Sequence, residues 1–174
     1  MKNNTKPYVK RITYIALFVA IIAVLSQISI PVSVIPITLQ TFAIALCGFT
    51  LGKKSSVATV LAYLALGSVG APVFASFNGG FQVLLIYTGG FLWGFIHFVL
   101  LCSISKNKVA IPFGILGLLL CHLLGIIQYS IVSDTSVWLS LIVVSLPYLV
   151  KDIILVILAY LLSTRINKIM KKHL

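Results

Sequence analysis

Long apolar stretches separated by short polar links run along almost all 174 residues of the chain. A helix that crosses a bilayer needs about 20 largely apolar residues. The pattern therefore predicts six transmembrane helices, at roughly 12–30, 38–52, 55–70, 83–105, 109–131 and 137–164. We expect an all-α integral membrane protein in which residues 1–174 form a single membrane domain.

The last apolar stretch is longer than a bilayer requires, and Pro147 interrupts it. Proline suits the first turn of a helix but disrupts a helix interior. The sequence therefore predicts a break near Pro147 and a new helix that starts there. Lys151 and Asp152 fall in the opening turns of this helix, where the helix dipole favours an anion.

Two of the links without Lys or Arg are themselves unusually apolar. The first covers residues 31–38 and holds two prolines, so it cannot be plain helix. The second covers residues 70–80, ends in Asn78, Gly79 and Gly80, and mixes aromatic residues with glycine. We expect structured outer loops that fold over a ligand or dip into the interface, with glycines that let the backbone approach a ligand closely.

Composition and charge support a membrane protein with a defined orientation. Hydrophobic residues make up 60% of the chain, and the mean hydropathy of +1.17 excludes a soluble domain. Basic links (2–11, 53–54, 106–108 and 165–172) alternate with links that lack Lys and Arg (31–38, 71–78 and 133–136). By the positive-inside rule, both termini are cytoplasmic. The net charge of +11 then reflects topology, and we expect no binding to nucleic acid.

The chain lacks the motifs of common enzymes and metal sites. It has no complete P-loop, no HExxH and no GxSxG sequence. Two acidic residues in the whole chain leave almost no room for paired-carboxylate catalysis. Cys47, Cys102 and Cys121 show no paired spacing and indicate packing. We expect His97 and His122 to be hydrogen-bonded packing residues, with ligand or relay roles as the alternatives. The protein is therefore predicted to be no enzyme and to hold neither metal nor cofactor.

Asp152 is the only acidic residue within an apolar stretch, since Asp134 lies in a polar link. A charge at membrane depth costs at least about 2.5 kcal/mol unless it is paired or hydrated, so such residues usually mark a binding site or an ion path. Neighbours on a helix point about 100° apart. We therefore expect Lys151 and Asp152 to present two separate charged groups around one pocket, with structural pairing or a proton relay as alternatives.

Topology places several neutral polar and aromatic residues near the same half of the membrane. The polar candidates for the pocket are Thr38, Gln40, Asn78, Gln82, Tyr87, Thr88 and Tyr148, and the candidate apolar walls are Phe74, Phe77, Phe81 and Phe91. A small ligand that is partly apolar and partly hydrogen-bonding would fit such a lining. Interface anchoring is the alternative for Gln40 and Tyr87.

Two pairs of small residues with a spacing of four indicate close helix contacts. Ala16 and Ala20 lie in the first span, and Gly90 and Gly94 lie in the fourth. Small residues at this spacing let another helix approach. The pattern fits either docking of a partner or packing within the chain.

An ordered series of short motifs resembles the biotin-specific S component of energy-coupling-factor transporters. The motifs are residues 38–43 (TLQTFA), 51–52 (LG), 63–75 (YLALGSVGAPVFA), 78–80 (NGG), 88–95 (TGGFLWGF) and 147–148 (PY) ahead of Asp152. The resemblance covers nearly the whole chain. It implies a membrane-embedded subunit that captures biotin, as a transported ligand, outside a prokaryotic plasma membrane.

The resemblance also implies partners. The subunit would associate with a shared transmembrane coupling protein and two cytoplasmic ATPases, and Ala16 and Ala20 match the family's Ala-x-x-x-Ala docking motif. Two rival functions stay open at this point. One is an S component for another vitamin, and the other is a carrier that works alone with Asp152 as its proton site.

The resemblance further implies roles for individual residues. Asp152 and Asn78 are expected to bind the ureido group of biotin, and Thr38 and Gln40 to fix the first outer loop. The family often places a lysine three residues after the aspartate, where this chain has Leu155. We expect Lys151, or the backbone amides near Gly79 and Gly80, to contact ligand oxygen instead.

Overall fold

The computed structural model describes residues 5–31, 35–105 and 107–172. This part of the chain forms seven α-helices: α1 (Thr5–Gln27), α2 (Gln40–Leu51), α3 (Lys53–Ser68), α4 (Gly89–Cys102), α5 (Ala110–Val132), α6 (Val137–Val144) and α7 (Leu146–Lys172). Two short strands, β1 (Ser29–Ile30) and β2 (Ile37–Thr38), pair antiparallel between α1 and α2. Two 3₁₀ helices, Ala75–Phe77 and Phe81–Leu84, lie between α3 and α4. The predicted helical fold is confirmed.

Among the described residues, three helices are long and apolar enough to cross a membrane. They contain the stretches Tyr8–Gln27, Ala110–Val132 and Leu146–Ile169. The apolar helices α2 and α4 are shorter, with 12 and 14 residues. The number of spans and the side on which the termini lie stay predictions.

The first span ends earlier than the apolar pattern indicates. Helix α1 ends at Gln27 because Ser29 and Ile30 form β1 instead, in register with Thr38 and Ile37 of β2. The two ends of the apolar link are therefore paired, while residues 32–34 between them lie outside the described part of the chain. At its other end, α1 begins at Thr5, seven residues before the start expected from the sequence.

The fourth span, in contrast, begins later than expected, at Gly89 instead of residue 83. The chain first forms the 3₁₀ helix Phe81–Leu84, whose apolar residues resemble the start of a span. Gln128 of α5 donates hydrogen bonds to the carbonyls of Leu84 and Ile86, at 2.9 and 2.8 Å. These bonds satisfy backbone groups that a continuous helix would have paired internally.

Ser145 separates α6 from α7, two residues before Pro147. Its N–H donates to Leu141 O at 3.2 Å, and its carbonyl accepts from the N–H groups of Tyr148 and Leu149, both at 3.0 Å. Pro147 therefore occupies the first turn of α7, where it removes no helical hydrogen bond.

The interior is built around α2, which is buried along most of its length. Helices α4 and α5 pack closely against each other because glycines lie between them. A Cβ atom at Gly94 would lie 2.7 Å from Cys121 Cα, and one at Gly90 would collide with Leu124 O. Gly90 and Gly94 therefore serve packing within the chain.

Polar side chains of α1 and α3 hold the loop between α3 and α4. Ser26 and Tyr63 both donate to Val73 O, at 2.6 and 2.9 Å. Gln27 donates to Phe74 O at 3.1 Å and accepts from the N–H of Phe77 at 2.8 Å. This loop and the β1–β2 pair are structured, and both lie at the end of the bundle where α7 begins.

The opposite end of the bundle gathers basic links. Arg11 of α1 donates to Ser55 Oγ at the start of α3, at 3.1 Å, beside Lys53 and Lys54. Asn167 near the end of α7 donates to Phe49 O in the last turn of α2, at 3.1 Å. The two ends of the bundle therefore differ in charge, as the alternation of links indicates.

Candidate ligand-binding cavity

A cavity of about 340 Å³ lies between the two structured loops and the helices α2, α4, α5 and α7. Small-molecule sites have volumes of this order, and most are apolar with a few placed polar groups. The apolar walls are formed by Phe74, Phe91, Leu92, Phe95, Phe98 and Leu118. The polar groups include Thr38, Gln40, Thr41, Asn78, His122, Tyr148, Lys151 and Asp152.

Lys151 and Asp152 form an ion pair in the wall of this cavity. Lys151 Nζ lies 2.8 Å from Asp152 Oδ1, and the two side chains are 27% and 6% exposed. The expectation of two separate charged groups was wrong, because the long lysine stem bends back across the helix surface to reach its neighbour. The pairing lowers the cost of both charges at this depth.

The ammonium of Lys151 has a second partner. It donates to Thr38 O at the end of β2, at 3.0 Å. The Tyr148 hydroxyl, one turn earlier on α7, donates to Ile35 O in the same link. The start of α7 therefore holds the first loop against the mouth of the cavity.

Thr38 and Gln40 connect the first loop to the second. Thr38 Oγ1 donates to Gln40 Oε1 at 3.3 Å, and Gln40 Nε2 donates to Tyr63 Oη at 2.7 Å. The Tyr63 hydroxyl then donates to Val73 O. Both Thr38 and Gln40 line the cavity, so their side chains face the ligand space while they tie the loops together.

Phe74 forms part of the wall below the second loop. It is 1% exposed and packs edge-on against Tyr63, with ring centroids 5.5 Å apart. Its ring lies directly over Gly67 of α3, where a Cβ atom would collide with it. Glycine at this position therefore lets Phe74 reach the cavity.

Asn78, Tyr87 and Thr88 lie at the rim of the cavity. Asn78 is exposed, and its side-chain amide donates to Ala75 O at 2.9 Å. Tyr87 is also exposed and tilts against Tyr129, with ring centroids 6.0 Å apart. These residues can contact only the end of a ligand that is near the mouth.

Five residues that the sequence suggested for the pocket lie outside its walls: Phe77, Gly79, Gly80, Phe81 and Gln82. Gly80 donates its N–H to Gly67 O at 2.7 Å, and Gln82 donates to Gly79 O at 3.0 Å. Gly80 adopts φ +103°, so glycine is needed there for the turn. Phe77 and Phe81 are exposed at the surface, and Phe95, Phe98 and Leu118 supply apolar wall instead.

His122 of α5 lines the cavity, although the sequence favoured a packing histidine and kept ligand or relay roles as the alternatives. Its Nε2 lies 3.4 Å from Asp152 Oδ2, and its Nδ1 lies 2.9 Å from Ser145 Oγ. The ring packs edge-on against Phe91, with centroids 5.6 Å apart. Its presence as an ionisable residue in an apolar span was the one available signal. His97, in contrast, is exposed on α4.

Comparison with known proteins places this architecture in a family. The profile of the BioY family matches residues 1–172. The chain belongs to the BioY family. The resemblance noted from its motifs is therefore confirmed.

Curated relatives of this BioY-family chain align over most of their length. It is 38% identical over 159 residues to a biotin transporter of Thermotoga maritima, an alignment that covers 88% of this chain and 93% of the relative. It is 33% identical over 166 residues to a probable biotin transporter of Pyrococcus horikoshii, with 91% and 96% coverage. These relatives are transport proteins, which confirms that the chain is not an enzyme.

A solved structure supports the same assignment. The S-component for biotin from an ECF-type ABC transporter matches with a TM-score of 0.83 and 31% sequence identity. The match covers 97% of this chain and 95% of that one. The BioY-family chain is therefore a membrane protein with the S-component fold.

The two alanines of α1 do not line the cavity. Ala16 and Ala20 are exposed, together with Leu17 and Val24, while Phe18, Val19 and Ile22 face the interior. Helix α1 thus presents a small-residue surface outward in addition to its packed side. The BioY-family fold leaves this surface uncovered within the described part of the chain.

Proposed function

We propose that this chain is the membrane-embedded substrate-binding subunit that captures biotin from outside the cell for ATP-driven import by an energy-coupling-factor complex. The Lys151–Asp152 pair, whose carboxylate is buried in the wall of a largely apolar cavity, carries this proposal. A charged pair at membrane depth is retained where a ligand uses it.

The chemistry of biotin matches the chemistry of the cavity. Its ureido N–H groups are donors, so they pair with the carboxylate of Asp152. Its ureido oxygen is an acceptor adjacent to those N–H groups, so it pairs with the ammonium of Lys151, which lies 2.8 Å from Asp152 Oδ1. The bicyclic body is largely apolar and fits beside Phe91, Phe95 and Phe98.

The loops over the cavity have supporting roles in this proposal. Thr38 and Gln40 keep the two loops joined, and Asn78 at the rim meets a polar atom of the ligand. Lys151 contacts both the carbonyl of Thr38 and the carboxylate of Asp152, so ligand binding and the position of the first loop depend on the same side chain.

The proposed orientation puts the cavity on the outer side of a prokaryotic plasma membrane. The chain then crosses the bilayer six times, and both termini are cytoplasmic. The basic links near Arg11, Lys53 and Lys54 support this orientation, because such residues concentrate on the cytoplasmic side.

The exposed face of α1 is the proposed contact with the shared transmembrane coupling protein. Small residues at positions 16 and 20 allow a partner helix to approach closely. Two cytoplasmic ATPases complete the complex and supply the energy for import.

Ligand identification tests this function. The chain is purified in detergent from cells fed with biotin, and the small molecules released by denaturation are identified by mass spectrometry. We expect biotin, and we expect the emptied protein to bind biotin again in an equilibrium titration. Recovery of a different vitamin, or intact protein that does not bind biotin, would contradict the proposal.

Transport assays test the proposed complex. Biotin uptake into vesicles should require the coupling protein, the two ATPases and ATP. Uptake by vesicles that hold this chain alone, driven by a pH gradient, would show a proton-coupled carrier instead.

A further inference from the structure

We propose that His122 is a positioning residue for ligand binding, which holds the carboxylate of Asp152 in the orientation that the ligand needs and is itself held by Ser145. This inference rests on the proposed function. It assigns a role to a chain of contacts that crosses three parts of the fold: α5, the break between α6 and α7, and α7 itself.

Donors and acceptors can be assigned along this chain of contacts. Because an ionised carboxylate can only accept, the nitrogen of His122 that faces Asp152 Oδ2 at 3.4 Å carries the proton. In the neutral ring, Nδ1 is then an acceptor, and the hydroxyl of Ser145 donates to it at 2.9 Å. The tautomer of His122 is therefore set by a partner on each side of the ring.

Ser145 is a rigid anchor for this chain of contacts. Its N–H and carbonyl are both used at the helix break, by Leu141 on one side and by Tyr148 and Leu149 on the other. The backbone of the break thus fixes where the hydroxyl points. His122 is 4% exposed, and Phe91 packs against its ring, so the imidazole has little room to turn.

Lys151 alone does not fix the plane of the Asp152 carboxylate. The ammonium lies 2.8 Å from Oδ1, whereas His122 faces Oδ2. A contact on each oxygen defines the orientation of the group, and a contact on one oxygen leaves it free to rotate about its Cβ–Cγ bond. With His122 in place, Oδ1 stays on the side of Lys151 and the ligand.

The role of His122 therefore acts through Asp152. At 3.4 Å the contact is longer than a typical N–H···O hydrogen bond, so we expect a modest effect on ligand binding. Removing the imidazole should weaken ligand binding only as long as Asp152 is ionised and takes part. A residue that merely fills space in the wall would contribute independently of Asp152.

A double-mutant cycle separates these two roles. Biotin affinity is measured by equilibrium titration for the wild type, His122→Leu, Asp152→Asn and the double variant in detergent. We expect His122→Leu to weaken binding roughly three- to tenfold, the range of one oriented polar contact. In the Asp152→Asn background we expect no further loss.

A conservative variant gives the second readout. In His122→Gln the side-chain amide nitrogen can take the place of Nε2 and donate to Asp152, so this variant should recover most of the affinity lost in His122→Leu. If His122→Leu does not fold, Ser145→Ala replaces it in the cycle and should show a smaller loss that also vanishes with Asp152→Asn.

The outcomes are distinct. Three results would overturn the positioning role even if the wild type binds biotin. They are unchanged affinity in His122→Leu, a loss in His122→Leu that adds to that of Asp152→Asn, and failure of His122→Gln to restore binding. A folded wild type that does not bind biotin would refute the proposed function, and with it the role of His122 that depends on that function.

Discussion

The ammonium of Lys151 lies 2.8 Å from Asp152 Oδ1, although the two residues are neighbours on one helix. The same nitrogen donates to Thr38 O in the first loop, 113 residues away in sequence, at 3.0 Å. One lysine therefore links the acidic residue of the cavity to the loop that covers it. Binding of a ligand at this carboxylate and placement of the loop are consequently expected to depend on each other.

Replacement of Asp152 by asparagine should weaken biotin binding about tenfold or more, because the ligand loses a charge-assisted hydrogen bond. Equilibrium titration in detergent measures the change. Asp134→Asn is the matched control, since Asp134 is the other acidic residue, is exposed, and has φ +51°, which asparagine tolerates. Equal affinity of the two variants would remove Asp152 from the site.

Replacement of Lys151 by methionine keeps the apolar stem and removes the charge. We expect about a fivefold to tenfold loss of affinity for biotin, because the ureido oxygen loses its charged partner. Biotin amide, which keeps the ureido group, should lose affinity by the same factor. Lys168→Met, at the far end of α7, is the control. Unchanged affinity in Lys151→Met would show that Lys151 does not contact the ligand.

Replacement of Gly67 by alanine should reduce the volume of the cavity by displacing the ring of Phe74. The new Cβ atom would collide with the ring of Phe74, which must then shift in the wall. Overpacking of this kind costs about 1–3 kcal/mol. We expect a lower unfolding temperature and weaker biotin binding, with Ser68→Ala, the adjacent residue, as the control. Unchanged affinity would show that Phe74 moves without affecting the ligand.

Replacement of Ala16 and Ala20 by leucine should separate binding from transport. Both residues are exposed on α1 and do not line the cavity, so biotin affinity should stay at the wild-type level. Uptake by the complete complex should fall severalfold, because the larger side chains keep a partner helix at a distance. Ala65→Leu, an exposed alanine on α3, is the control. Normal uptake by the double variant would place the docking surface elsewhere.

The sequence singled out Asp152, which lies in the wall of the cavity, for a clear physical reason. A single acidic residue within an apolar span is expensive, so Asp152 stood out without any knowledge of the fold. Membership of the family could likewise be predicted, since the order of the motifs along the chain is specific. The break before Pro147 followed from the geometry of proline.

Contacts made by flexible or distant side chains were harder to predict. The direction of the Lys151 stem depends on rotamers, and helical spacing alone suggested that it would point away from Asp152. His122 meets Asp152 only because α5 packs beside the start of α7, and no local pattern encodes that contact. Gly79 and Gly80 adjoin Asn78 in sequence, yet they lie outside the cavity walls.

The start of α4 shows the same limit for secondary structure. The residues from Phe81 onward are apolar enough to begin a transmembrane helix, but they form the 3₁₀ helix Phe81–Leu84, and Gln128 donates to the carbonyls of Leu84 and Ile86. Hydropathy detects where the chain is apolar and does not report which distant side chain completes its hydrogen bonds.

A solved structure of the protein with biotin bound tests the central claim most directly. We expect the ureido nitrogen within about 3 Å of the Asp152 carboxylate, with the rings among the phenylalanines of the cavity. Biotin bound elsewhere, with the ammonium and the carboxylate contacting only atoms of the protein, would contradict the account.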